Sequence, residues 1–80
     1  MNITYAKRAV KVIERLDVPT KQRIRCAISG IPLGDIKHLQ GHTELYRLRV
    51  GDWRVLFSYL DAETVLIEKI SPRGEVYKGA

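Results

Sequence analysis

The stretch Leu45-Tyr46-Arg47-Leu48-Arg49-Val50-Gly51-Asp52-Trp53-Arg54-Val55-Leu56-Phe57-Ser58-Tyr59-Leu60 decides how this sequence folds. Its apolar residues recur at every second position, the period of a β-strand with one buried face. Gly51-Asp52 interrupts that alternation with two residues, glycine first, as a type II′ hairpin turn requires. So short a turn sets the register. Val50 falls opposite Trp53, Arg49 opposite Arg54, Leu48 opposite Val55, and Arg47 opposite Leu56. One face then carries Tyr46, Leu48, Val50, Trp53, Val55, Phe57 and Tyr59, an apolar surface that other elements must cover. The other carries Leu45, Arg47, Arg49, Arg54, Leu56 and Ser58.

Downstream, Asp61-Ala62-Glu63 turns the chain into a third strand, Thr64 to Ser71. Its run from Val65 to Ile70 is apolar on both parities, so its facing stays open. Ser71-Pro72-Arg73-Gly74 reads as a turn and Glu75-Val76-Tyr77 as a short terminal strand. Upstream, residues 32–42 hold Pro32, Gly34 and Gly41 and read as a connecting loop, pinned by Leu33, Ile36 and Leu39. Before that loop the period is helical. Ala6, Ala9, Val10, Ile13 and Leu16 form one apolar stripe, with Lys7, Arg8, Lys11, Glu14 and Arg15 on the other side. Thr4 suits the N-cap of this helix. Asp17-Val18-Pro19 breaks it, and Pro19 fits the first turn of a second helix with the stripe Ile24, Ala27, Ile28 and Ile31. Gly30 and Pro32 end that helix. Asn2-Ile3-Thr4 offers a further strand to the sheet. The expected architecture is α+β: a single domain over residues 1–80, with two N-terminal helices on one face of a small antiparallel sheet.

Eighty residues leave room for one domain and one small core. A chain this short buries only ~60–65% of its unfolded surface. A multidomain enzyme with a deep cofactor cleft is therefore excluded. Disorder is excluded by the 45% apolar content and the mixed charges. Cys26 is the single cysteine, so neither an internal disulfide nor a zinc site of several thiolates can form. No apolar run approaches the ~20 residues of a membrane span. These features fit a soluble, cytoplasmic protein with no membrane partner. Fourteen Lys and Arg against nine Asp and Glu give a net charge of +5, which suggests an anionic partner.

The arginines localise that suggestion. Arg49 and Arg54 face each other across the hairpin, with Arg47 two residues away on the same side, and like charges so placed destabilise a sheet. Stability alone would put Glu or Thr at one of these positions. A phosphate site explains the pattern, because guanidinium is a planar fork of donors that stays charged at any working pH; the plain alternative is a solvated face. Arg73 and Tyr77 could reach the edge of the same face, Tyr77 to stack on a base or simply to pack. His38 and His42 are candidate acid–base residues or else exposed loop histidines. Cys26 reads as a small buried hydrophobe, Trp53 and Tyr59 as core, and Asp52 as a turn residue. The carboxylates Asp52, Asp61, Glu63 and Glu68 form no metal-like cluster, so neither a metal nor another cofactor is expected.

The order strand, helix, helix, three-strand meander, with the run from Leu45 to Phe57 and the ending Arg73-Gly74-Glu75-Val76-Tyr77, resembles the RelE/ParE superfamily of type II toxin–antitoxin toxins. The resemblance spans essentially the whole chain. It implies one of two activities: ribosome-dependent cleavage of mRNA, as in the RelE-like branch, or poisoning of DNA gyrase without nuclease activity, as in the ParE-like branch. A homologue that binds nucleic acid but has lost activity is a third reading. On the RelE-like pattern Arg47 and Arg49 match two basic positions of the first meander strand, Arg54 the arginine after the turn, Arg73 the arginine before the terminal strand, and Tyr77 its tyrosine. The resemblance thus makes Arg49, Arg54, Arg73 and Tyr77 the catalytic set and Arg47, Arg49 and Arg54 the RNA phosphate contacts. Two departures stand out. The spacing from Arg73 to Tyr77 is short, and arginines replace the lysines of the first strand, which removes a general base because arginine is not deprotonated. The family also implies a cognate antitoxin encoded alongside, acidic or partly disordered, that wraps the domain and shields its basic face. Operator DNA would be reached only through that complex.

Overall fold

A computed structural model describes residues 2–39 and 45–72. Its elements are β1 (Asn2–Tyr5), α1 (Lys7–Arg15), α2 (Val18–Ser29), β2 (Asp35–His38), β3 (Tyr46–Val50), β4 (Trp53–Asp61) and β5 (Thr64–Pro72). The strands form one sheet in the order β1-β5-β4-β3-β2. The two helices lie over it, α1 along β5 and α2 along β3.

The β3–β4 hairpin has the register that the sequence implies, with Val50 opposite Trp53 and Arg49 opposite Arg54. Gly51 has φ of +59° and Asp52 does not share the positive φ, the pattern of a type II′ turn. The helix-side residues Leu48, Val55 and Phe57 are buried. Val65, Ile67 and Ile70 of β5 join them, with Ala9 from α1 and Ile24, Ile28 and Ile31 from α2 and its exit. Tyr46, Val50, Trp53 and Tyr59 pack at the margin of this core.

Several expectations are corrected. Residues 32–42 are not simply a loop, because Asp35–His38 pairs with β3 as an antiparallel edge strand. β1 pairs with β5 in parallel, so the sheet is mixed and has five strands rather than a wholly antiparallel meander. Thr4 lies inside β1, and the N-cap position belongs to Ala6, which lends no side-chain bond. The Ala6 amide instead donates to the Ile67 carbonyl at 2.9 Å, which ties the start of the helix to the sheet. Val10 is 40% exposed, and the stripe that reaches the core is Ala9, Val12, Ile13 and Leu16. Cys26 is exposed. The reason is angular: at 100° per residue it stands about 200° from Ile24 and Ile28, on the opposite side of α2.

The second helix begins as expected. Asp17 is its N-cap, and its Oδ2 accepts from the Thr20 amide at 3.2 Å. Hydrogen bonds from Thr20 hold the Asp17 carboxyl below the usual range.

A β-bulge resolves the facing of β5. Leu56 pairs with Lys69 while Phe57 pairs with Ile67, which leaves Glu68 as an extra residue. Side-chain parity flips there. Val65 and Ile67 before the bulge and Ile70 after it all face the core, while Lys69 turns to the other side. The carbonyl of the extra residue accepts from Arg8 Nε at 2.7 Å.

Candidate phosphate-binding face

Register places the charged residues of four neighbouring strands together on the face opposite the helices. Arg47 and Arg49 of β3 sit between β2 and β4. Lys37 of β2 is the partner of Arg47, and Asp35 is the partner of Arg49. Arg54 of β4 pairs with Arg49 on one flank and with Ser71 on the other. Lys69 of β5 follows, opposite Leu56. The described part of this face thus gathers Lys37, Arg47, Arg49, Arg54 and Lys69, with Asp35 opposite Arg49. Asp35 Oδ1 accepts from Arg47 Nη2 at 3.5 Å, a long ion pair that offsets one of these charges.

The face is not uniformly open, contrary to the expectation for Arg54. That side chain is buried, at 7% exposure, as is Leu56. The physical reason is its position: β4 is the central strand, flanked on both sides, and Arg54 turns back on its own hairpin. Its Nη1 donates to the Trp53 carbonyl at 3.2 Å and to the Gly51 carbonyl at 3.4 Å. Arg47 is nearly as enclosed, with its side chain 11% exposed. Arg49 remains exposed.

The Nε atoms of both Arg47 and Arg54 are buried and have no hydrogen-bond partner among the described residues. A buried charged donor without an acceptor costs about 1–3 kcal/mol or more. Folding does not select such an arrangement for stability. A phosphate oxygen is the acceptor that guanidinium matches best, and several nearby cations would share its charge.

The remaining sequence candidates fall in different places. His38 pairs with Tyr46 on the helix-side parity, and their rings lie 4.9 Å apart in a tilted contact. It is therefore a strand residue across the sheet from the arginines, not a member of their cluster. His42, Arg73 and Tyr77 lie outside the described residues. Trp53 and Tyr59 face the helix side, as parity requires. Sequence reasoning missed Lys37 and Lys69. Lys37 was concealed by the loop reading, and Lys69 by the bulge. The signal that could have exposed Lys69 is the spacing Val65, Ile67, Ile70, an alternation broken once.

No family model matches the sequence. A Methanocaldococcus jannaschii protein that carries the name toxin RelE1 is 32% identical over 85 aligned positions, which cover 96% of this chain and 94% of the relative. The chain belongs to the RelE toxin family. Toxin RelE3 of the same organism is 25% identical with coverage of 96% of both chains. Among solved structures, the archaeal RelE–RelB complex of Pyrococcus horikoshii matches with TM-score 0.72 and 29% identity, over 91% of this chain and 94% of that one. The isolated Escherichia coli RelE toxin matches with TM-score 0.71 at 17% identity, over 96% and 90%, and attests the fold alone. The expected α+β RelE-like architecture is thereby confirmed.

Proposed function

We propose that this protein is the toxin of a toxin–antitoxin module and that it cuts mRNA on the ribosome. The observation that carries the reading is the convergence of Lys37, Arg47, Arg49, Arg54 and Lys69 on one sheet face, where two buried guanidinium Nε atoms have no partner among the described residues. Kinship with proteins named RelE supports the endoribonuclease branch over the gyrase-poison branch. The Pyrococcus relative was solved with its RelB partner, which supports a cognate antitoxin for this chain as well. A ribosomal target places the protein in the cytoplasm.

The chemistry is phosphoryl transfer within the RNA. The 2′-oxygen bonds to the adjacent phosphorus, and the bond from phosphorus to the 5′-oxygen breaks. The 2′-hydroxyl proton passes to a base, and the leaving 5′-oxygen gains a proton. Extra negative charge develops on the phosphoryl oxygens between these events. Arg49 and Arg54 form the clamp that stabilises it, and Arg47 holds the neighbouring backbone phosphate. Arg73 supports the leaving side and Tyr77 stacks on a base or assists proton transfer, as the family pattern implies. No arginine serves as the base. His38 lies across the sheet, so His42 remains the histidine candidate for acid–base work, and Lys37 and Lys69 of the described face join it.

Primer extension on a reporter mRNA after brief induction tests this reading. Cuts are expected at codons in the ribosomal A site, and Arg54→Ala is expected to lower the cleavage rate by about 10²–10³-fold. Growth arrest with intact mRNA and lost supercoiling would refute it in favour of gyrase. A fully active Arg54→Ala variant would refute the site.

A further inference from the structure

Charge is graded across the cationic face. Two cross-strand rows run over it: Lys37, Arg47, Leu56 and Lys69 form one, and Asp35, Arg49, Arg54 and Ser71 the other. The rows are two residues apart along each strand, about 7 Å. Asp35 has Arg49 beside it and Arg47 on the diagonal. Gly34, with φ of +119°, turns the chain into β2, and Asp35 is the first residue of that strand.

The Asp35 carboxylate takes the diagonal. Its Oδ1 accepts from Arg47 Nη2 at 3.5 Å. A charge-assisted pair closes to about 2.7–2.9 Å, and a bidentate one engages both oxygens. The contact here is longer and uses one oxygen, and Arg47 Nε keeps no partner among the described residues. Exposure is also unequal, 11% for the Arg47 side chain and 58% for that of Asp35. The arginine is enclosed in the sheet face, and the acid is the solvated half of the pair. A pair so exposed on one side adds little to stability.

We propose that Asp35 sets the selectivity of this face for RNA: its carboxylate occupies Arg47 in the free protein, and a backbone phosphate engages Arg47 only by displacing it. Two anions compete for one guanidinium. The phosphate gains the fork and loses part of that gain to repulsion from the displaced carboxylate. The penalty is local. β4 and β5 stand about 10 and 14 Å from β2, beyond the screening length of about 8 Å in physiological salt. Arg54 and Lys69 keep their pull, and Arg47 and Arg49 on β3 lose some of theirs. A loose RNA strand, which must also be ordered on binding, is held weakly. RNA already held in place by a larger body loses less, because its ordering cost is met elsewhere. On the nuclease reading above, Asp35 thereby spares free mRNA. That consequence rests on the reading; the competition for Arg47 rests on the cationic face alone.

Binding of a short fluorescein-labelled oligouridylate to the full chain, followed by anisotropy over a range of salt, tests the competition. Asp35→Asn keeps the size of the side chain and removes its charge. It is expected to bind about fivefold tighter than the parent. Its plot of log affinity against log salt is expected to steepen by about 0.7, the increment of one more phosphate engaged on a single strand. Glu14→Gln makes the same change of net charge at an exposed position of α1, in the helix layer, and is expected to alter affinity by less than about twofold. In an Arg47→Gln background the gain from Asp35→Asn is expected to vanish. Equal gains from the Asp35 and Glu14 variants, an unchanged salt slope, a gain that persists without Arg47, or no measurable binding by either the parent or Asp35→Asn would each overturn the proposal. The slope and the Glu14 comparison do not use the Arg47 variant, so they decide the matter even if that variant is unfolded. A chain that shows these differences and never cuts mRNA would refute the nuclease reading alone. One that cuts mRNA without them would refute the competition alone.

Discussion

Gly51 is where one substitution should most clearly expose how the site is assembled. Its φ is +59°, in the left-handed region that L side chains avoid. Alanine at this position costs about 1–2 kcal/mol in backbone strain. A Cβ would also stand 2.8 Å from Arg23 Nη2, the far end of a flexible side chain that can move aside. Torsion should therefore dominate over contact. For a domain of this length each kcal/mol lowers Tm by about 4–8 °C, so Gly51→Ala should melt roughly 5–15 °C below the parent. Scanning calorimetry or circular dichroism reads this directly. The companion variant Arg23→Ala, alone and combined with Gly51→Ala, completes a double-mutant cycle. If torsion is the cause, removing Arg23 recovers little of the loss. Full recovery in the double variant would show that contact, not φ, sets the cost. An unchanged Tm in Gly51→Ala would refute the turn assignment itself. The Arg49–Arg54 pairing depends on that turn, because a slip of one residue would turn the arginine of the slipped strand towards the core.

Three other outcomes are expected. Phe57→Ala should cost about 3–5 kcal/mol in urea unfolding, because Phe57 is fully buried at the centre of the sheet; a loss below about 1 kcal/mol would contradict that packing. Asp17→Ala should lower Tm at neutral pH, since it removes the α2 cap. The native Asp17 pKa is lowered, so its contribution is present above the unfolded pKa and lost as pH falls through the native one; the gap between variant and parent should close in acid, and a gap independent of pH would refute the cap. Cys26 should react completely with a thiol reagent in the native state, and protection until unfolding would contradict its exposure.

Sequence by itself determined the hairpin. Alternation and a glycine-first turn are local signals, and together they set the register and both faces from Tyr46 to Tyr59 without reference to the rest of the chain. The α2 stripe and its Asp17 start were legible for the same reason, because spacing and capping act within one turn of helix. The juxtaposition of Arg47, Arg49 and Arg54 followed from that register. What only the tertiary structure decided depends on partners far along the chain. Asp35–His38 becomes a strand because β3 offers an edge, and a short polar segment with no periodicity carries no sign of that. β1 chooses β5 and a parallel direction through contacts more than 60 residues away. Lys69 joins the cationic face because Glu68 bulges, and a bulge is set by the pairing of two strands rather than by either one. The burial of Arg54 likewise comes from the strands on its two flanks. The general positive charge of the sequence thus became one cationic face only when non-local pairing brought four strands into one register.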